Sequence, residues 1–216
     1  MTQKIIETSL LVLMAFNLFG QKSEEDKFWN WFQKNEHIYF HEIENLEVRE
    51  SIFDDLSKHL SKVNSDLAFE FSPIHDNGKR ELMISAEGIK ELFPIVEKLI
   101  NKAPKLQNWN LIAFRQRIPG DDFSLEYGEF KIGYSDLYFR HSEQNEQLGI
   151  ELNIRNFDDQ GQTKNAIYIL LDGLLGEYDV TTGIDWIEWV KLDESNIENL
   201  SPIIHLREII DRRKDK

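Results

Sequence analysis

Residues 79–117 read KRELMISAEGIKELFPIVEKLINKAPKLQNWNLIAFRQR, and this stretch decides the fold. Glu81-Leu82-Met83-Ile84-Ser85 is a short β-type run. After it, apolar residues at Ile89, Leu92, Phe93, Val96, Leu99 and Ile100 recur at the spacing of one buried helix face over 88–102. Ala103-Pro104 breaks that helix, and Asn110-Leu111-Ile112-Ala113-Phe114 starts a second strand. Pro94 suits only the first turn of a helix, so a short turn over 88–93 precedes the helix proper. Upstream, Leu67-Ala68-Phe69-Glu70-Phe71 alternates like a half-buried strand, and Asp76-Asn77-Gly78 supplies a hairpin turn. Residues 67–118 thus predict a ββαβ unit.

The same pattern returns over 130–192. Residues 130–141 and 147–157 are strand-like around a polar loop at 142–146. Residues 166–175 form a strongly apolar helix closing near Gly176, and Ile184-Asp185-Trp186-Ile187-Glu188-Trp189-Val190 is the last strand. Gly88 to Leu111 and Thr163 to Trp186 both span 23 residues, a repeat of shape without repeat of identity. Ahead of these units, residues 21–26 read as a polar linker and 27–63 as a helical pair. Its first helix opens on Phe28-Trp29-Asn30-Trp31-Phe32, and Val48, Ile52, Leu56, Leu60 and Val63 stripe the second. Ser201-Pro202 predicts an N-cap and first helical position for a terminal helix over 200–214, with Arg207, Arg212, Arg213 and Lys214 suited to its negative end. The apolar helix stripes need a sheet to cover. The expected fold is therefore α+β: two tandem ββαβ units pooling their strands into one mostly antiparallel sheet, ferredoxin-like in style, within a single domain over 21–216.

Helices on one face of such a sheet leave alternate side chains on the other. Leu148, Ile150, Leu152 and Ile154 point one way; Glu151, Asn153 and Arg155 point the other. The same alternation groups Tyr138 with Arg140 and Arg115 with Arg117, sets Glu70 opposite Phe69 and Phe71, and places Trp186 with Glu188. Arg115, Arg117, Tyr138, Arg140, Glu151, Asn153 and Arg155 are the candidate binding residues, because converging guanidinium groups suit an anionic or polar ligand. The competing reading is a solvated face knitted by cross-strand Arg–Glu pairs, or one covered by the N-terminal helices.

The chain has 216 residues, 41% apolar and 12% aromatic, ordinary for a folded protein. With 25 basic against 39 acidic residues, its net charge of −14 repels phosphate backbones and anionic membranes. Nucleic acid is not an expected partner. There are no cysteines, which removes disulfides, thiolate metal sites and cysteine nucleophiles. Lys4, the apolar run from Ser9 to Phe16 and Leu18-Phe19-Gly20 have the layout of a secretory signal peptide over 1–20, resembling those of exported Bacteroidetes proteins. Glu7 and Leu18 depart from that pattern. Export to the periplasm or beyond is the expectation, with no membrane span after cleavage. A cytoplasmic location with residues 1–20 as a docked helix is the alternative.

Local motifs for chemistry are sparse. His37 and His41 share a helix face but lack a third ligand, so no metal or cofactor is expected. His75 beside Asp76 reads as a loop histidine. Asn156-x-Asp158-x-Gln160-Gly161 resembles the opening of a calcium loop, yet its twelfth position is Ile167 where a glutamate is needed. No phosphate cradle, nucleophile elbow or dinucleotide fingerprint appears.

Through Phe28-Trp29-Asn30-Trp31-Phe32, the run Glu81-Leu82-Met83-Ile84-Ser85-Ala86-Glu87-Gly88, Ala113-Phe114-Arg115-Gln116-Arg117 and Leu174-Leu175-Gly176-Glu177-Tyr178-Asp179, the chain resembles a family of uncharacterised bacterial proteins. That resemblance covers nearly everything after the signal segment and carries no activity or catalytic residue with it. The first expectation is a non-catalytic binding or interaction domain for a protein or polar ligand. The alternatives are a hydrolase-like enzyme using dispersed Arg, Glu and His residues, and a cytoplasmic acidic immunity- or antitoxin-like protein. A deep pocket where Arg115, Arg140 or Arg155 meets a His or a carboxylate favours the enzyme; a flat solvated face favours the interaction module.

Overall fold

A computed structural model describes residues 22–127 and 130–214. The signal-peptide expectation for 1–20 lies outside them. Contacts divide the chain into two compact units meeting at Val63 and Asn64.

The first unit is a helical pair, α1 (Glu24–Glu42) and α2 (Arg49–Leu60). Its start corrects the polar-linker reading of 21–26: the Ser23 hydroxyl accepts the Asp26 N–H while Asp26 reaches back to the Ser23 backbone, so the helix begins at Glu24. Such a capping box contributes on the order of 1 kcal/mol. Phe28, Trp29, Phe32 and Tyr39 of α1 are buried, as are Ile52, Leu56 and Leu60 of α2. Within the pair, Trp31 stacks flat on His59 with ring centroids 3.9 Å apart. Burial, with Asp55 beside it, raises the Tyr39 hydroxyl well above its ordinary range.

In the second unit, β1 (Ala68–Phe71) runs antiparallel to β2 (Arg80–Ser85), and β2 runs parallel to β3 (Trp109–Ala113). A 3-10 turn over Lys90–Leu92 leads into α3 (Phe93–Asn101), with Pro94 in its first turn as the sequence predicts. Next come the hairpin β4 (Ser124–Tyr127) and β5 (Phe130–Gly133), then β6 (Leu137–Gln144) antiparallel to β7 (Gln147–Ile154). Helices α4 (Gly161–Leu175) and α5 (Glu177–Gly183) lead to β8 (Trp186–Lys191), parallel to β7. The two-residue strand β9 (Ser201–Pro202) and α6 (Leu206–Lys214) finish the chain.

Four expectations are corrected. The strands form three sheets, ordered β1-β2-β3, β4-β5 and β8-β7-β6-β9, so no single ferredoxin-like layer is shared. One reason is visible at β6: Ser201 and Pro202 pair with Phe139 and Tyr138, closing that edge with a residue that lacks an N–H. The same pairing means Ser201-Pro202 does not start the terminal helix. The strand expected over 130–141 breaks at 134–136, where the Asp136 carboxylate accepts the Gly133 N–H at 3.0 Å and tightens a 3-10 turn. The loop expected over 142–146 shrinks to Asn145 and Glu146, both at positive φ, which matches a two-residue hairpin between Gln144 and Gln147.

The main core lies between α4 and the β6–β7 sheet. Leu148, Ile150, Leu152 and Ile154 face Ile167, Leu170, Leu171 and Leu174, all fully buried. Each such side chain contributes about 2 kcal/mol of transfer free energy. No helix among the described residues is long and apolar enough to cross a membrane.

Candidate functional site

The seven candidate residues occupy three places. Tyr138, Arg140, Glu151, Asn153 and Arg155 do share the face of the β6–β7 ladder opposite the core, as strand alternation requires. Their polar groups are engaged with one another and with neighbours. Arg140 meets Glu151 across the strands at 3.3 Å, and the Asn153 amide donates to Glu151 at 2.9 Å. Arg155 donates to Glu194 at 2.7 Å and to Asp136 at 3.1 Å, and lies over the Tyr138 ring. Glu194, then Asp136, raise its pKa further. This is a laced sheet face. Arg117 is elsewhere, donating to the Leu175 carbonyl at 2.8 Å and to Asp211 at 2.6 Å.

Arg115 belongs to a third place, and its neighbourhood is the candidate site. Phe114, at φ 66°, ends β3 and turns the chain so that Arg115 points back across the sheet. Its Nε donates to Glu70 at 2.5 Å, one terminal nitrogen meets Glu87, and the other lies 3.4 Å from Asp172. Burial works against the guanidinium charge, but Glu70 and then Glu87 outweigh it and raise the pKa. All three nitrogens thus face carboxylates.

Glu177 fixes the backbone beneath this cluster. It follows Gly176, whose φ of 89° turns the chain sharply between α4 and α5. The side chain is fully buried, and its carboxylate accepts three backbone N–H groups: Ala86 at 2.8 Å, Gly88 at 3.2 Å and Arg115 at 3.1 Å. Its own N–H donates to the Arg115 carbonyl at 3.0 Å. Glu87 and Gly88 both have positive φ, a turn that brings the N–H groups of Ala86 and Gly88 onto one carboxylate oxygen while the Glu87 N–H donates to the Ser85 hydroxyl. One carboxylate thereby joins α5 to the turn after β2 and the segment after β3.

Above this junction opens a cleft of about 610 Å³, lined by Glu87 and Arg115, by Asp172 with Tyr168 and Ile169 from α4, and by Trp186 at the start of β8. That volume is ordinary for a small-molecule site. Asp172 is 8% exposed. Burial pushes its carboxyl up to about 7; Arg115 opposes the rise, and the negative charges of Glu177 and Glu87 add to it. Trp186 lies over Gly149 of β7, where any Cβ would overlap the indole. Its ring is nonetheless half-exposed, as are Tyr168 and Ile169. Asp185 also borders the cleft, with one oxygen accepting the Leu148 N–H at 2.7 Å.

Sequence reading found Arg115 and missed Asp172, Glu87 and Glu177. A signal was there: Asp172 is the one charged residue in the apolar run 166–175, and a lone carboxylate on such a helix must find a partner or titrate upward. Among the described residues no three His, Asp or Glu side chains gather as metal ligands, and His37 and His41 remain exposed on α1. No protein-family model, curated protein or solved structure gives a significant match to this chain.

Proposed function

We propose that the chain is a binding module whose recognition site is the cleft bordered by Arg115, Asp172 and Trp186, and that it performs no chemistry on what it binds. The observation that carries this reading is a cleft of about 610 Å³ in which the half-exposed side chains of Tyr168 and Ile169 stand beside the fixed polar groups of Arg115, Glu87 and Asp172. Exposed apolar surface gathered around a few fixed polar groups is the ordinary make-up of a ligand site. The polar floor is held in place before any ligand arrives, since Arg115 is gripped by Glu70 and Glu87 and the backbone below by Glu177. Pre-organisation of this kind lowers the entropic cost of binding. The laced face of β6 and β7 carries polar groups already paired with one another, which suits a scaffold better than a site.

One observation favours a second reading, the enzyme. A carboxyl with a pKa near 7 is the right strength for general acid–base work, and Asp172 stands in the cleft wall beside Arg115. Recognition is preferred because the other cleft carboxylates are engaged: Glu87 by Arg115 and Asp185 by the Leu148 N–H. A fragment screen read by ligand-observed NMR on the wild type and on Tyr168→Ala separates these readings. Binders lost in Tyr168→Ala and chemically unchanged after long incubation support the module. Binders indifferent to Tyr168→Ala would move recognition off the cleft, and fragments converted only when Asp172 is present would favour the enzyme.

A further inference from the structure

We infer that the partner of this cleft is an extended polypeptide segment that pairs, as an added strand, with the outer edge of β8. The inference rests on the cleft being the recognition site and goes beyond it by naming the kind of partner.

The first argument is the hydrogen bonding that β8 leaves open. Its sheet is ordered β8-β7-β6-β9, so β8 has a neighbouring strand on one side only. The Arg155 N–H donates to the Asp136 carbonyl, which turns the odd-numbered residues of β7 toward β6. The Leu192 N–H donates to the Ile154 carbonyl, which turns the even-numbered residues of β7 toward β8. In this parallel register the even-numbered residues of β8 bond to β7 in return. The N–H and C=O groups of Ile187, Trp189 and Lys191 therefore point outward, and among the described residues none outside the sheet bonds to them.

The opposite edge of the same sheet is closed. Ser201 and Pro202 pair with β6, and Pro202 offers no N–H to a further strand. The β8 run Trp186-Ile187-Glu188-Trp189-Val190-Lys191 has neither Pro nor Gly, and four of its six side chains are aromatic or β-branched. Sheets ordinarily blunt or cover such an edge, because it is a template for another strand.

The second argument is what stands beside that edge. Asp185, Trp186 and Ile187 line the cleft, and so do Asn165, Tyr168 and Ile169 along the outer stripe of α4. A strand added about 4.8 Å from β8 thus enters the cleft. Ile187 and Trp189 face α4, with the Trp189 and Tyr168 ring centroids 5.4 Å apart. Every second side chain of the added strand falls on that same face, toward the half-exposed Tyr168 and Ile169. Main-chain bonds supply affinity in such pairing, and the apolar stripe supplies selection. The chain's net charge of −14 disfavours a second copy of itself as the occupant and favours a segment poor in Asp and Glu.

Random twelve-residue peptides displayed on phage and selected on the full chain are the probe, and the selected sequences are then synthesised and titrated by fluorescence anisotropy. Methylating one peptide nitrogen at a time should weaken binding about tenfold or more at every second position and little between them, the mark of a paired strand. Ile187→Pro removes an outward N–H and leaves the bonds to β7 in place, so it should weaken the same peptides about tenfold where Ile187→Val does not. Thermal denaturation checks that the proline variant folds, and the methylation series decides the question without it. Peptides lost in Tyr168→Ala but lacking the period of two overturn the added strand and leave the module intact. A dimer in sedimentation equilibrium that disappears in Ile187→Pro overturns the peptide in favour of a second copy. Failure to select any peptide, or peptides indifferent to both Ile187→Pro and Tyr168→Ala, overturns the peptide partner; fragments that still need Tyr168 would then uphold the cleft, and fragments indifferent to it would overturn both.

Discussion

Glu177 shows how much of this fold rests on one side chain. Three backbone donors from the turn after β2 and the segment after β3 end on its fully buried carboxylate. Glu177→Ala removes the acceptor of all three; the buried Ala86 donor alone costs about 1–3 kcal/mol when stranded, and the part-buried Gly88 and Arg115 donors add to it, so a loss of about 3 kcal/mol is expected. Urea denaturation checks this: the midpoint should fall with the slope unchanged, and a loss below about 1 kcal/mol would mean the turn finds other acceptors. Asp172 acts in the opposite sense. Its folded pKa, about 7, lies above the ordinary 3.8, so the folded state holds the proton more tightly. Its contribution to stability is full below pH 4 and is lost as pH rises toward and through 7. Asp172→Asn cannot ionise, and relative to its own value at pH 4 it should gain about 4 kcal/mol over the wild type by pH 8. Parallel stability-against-pH curves for the two proteins would show that this carboxyl does not titrate between them. Neither residue announced itself through a motif. Each was a single charge in an apolar or turn context, and only burial gives such a charge its weight.

At the scale of elements, hydrophobic periodicity was a good guide. Pro94 placed the start of α3, and alternation in β7 sorted Leu148, Ile150, Leu152 and Ile154 inward. Boundaries failed where a polar side chain bonded to the backbone nearby: Ser23 with Asp26 lengthened α1, and Asp136 cut a strand in two. Those bonds depend on geometry that spacing does not encode. The β7–β8 pair carries the most specific expectation at this scale. Gly149 sits opposite Trp186, and a methyl group there must push the indole away. Gly149→Ala should cost about 1–2 kcal/mol through overpacking, and the cost should largely disappear when Trp186 is also alanine. A double-mutant cycle by thermal or urea denaturation reads the coupling directly; additive effects would separate the glycine from the ring.

For the whole molecule, the mixture of helices and strands was legible and its division into three sheets was not. The two larger sheets each pair strands antiparallel and then parallel. Whether strands pool into one sheet depends on which edges remain free. Pro202 closes the β6 edge, and Glu177 reaches the turn after β2, through contacts between residues far apart in the chain. The candidate site moved for the same reason: Arg115 was recognised as a polar anchor, but the carboxylates that make its surroundings acidic come from β1, the turn after β2, and α4.

The clasp at Glu177 also orders events during synthesis. Its acceptor atoms emerge 62 to 91 residues after the donors they satisfy. While the ribosome is still adding β6 and β7, the Ala86 and Gly88 N–H groups lack the acceptor they have in the folded chain, and only local bonds such as that from the Glu87 N–H to Ser85 hold the turn. Its final rigidity arrives from the carboxy-terminal side, so the nascent amino-terminal part depends on chain that has not yet been made.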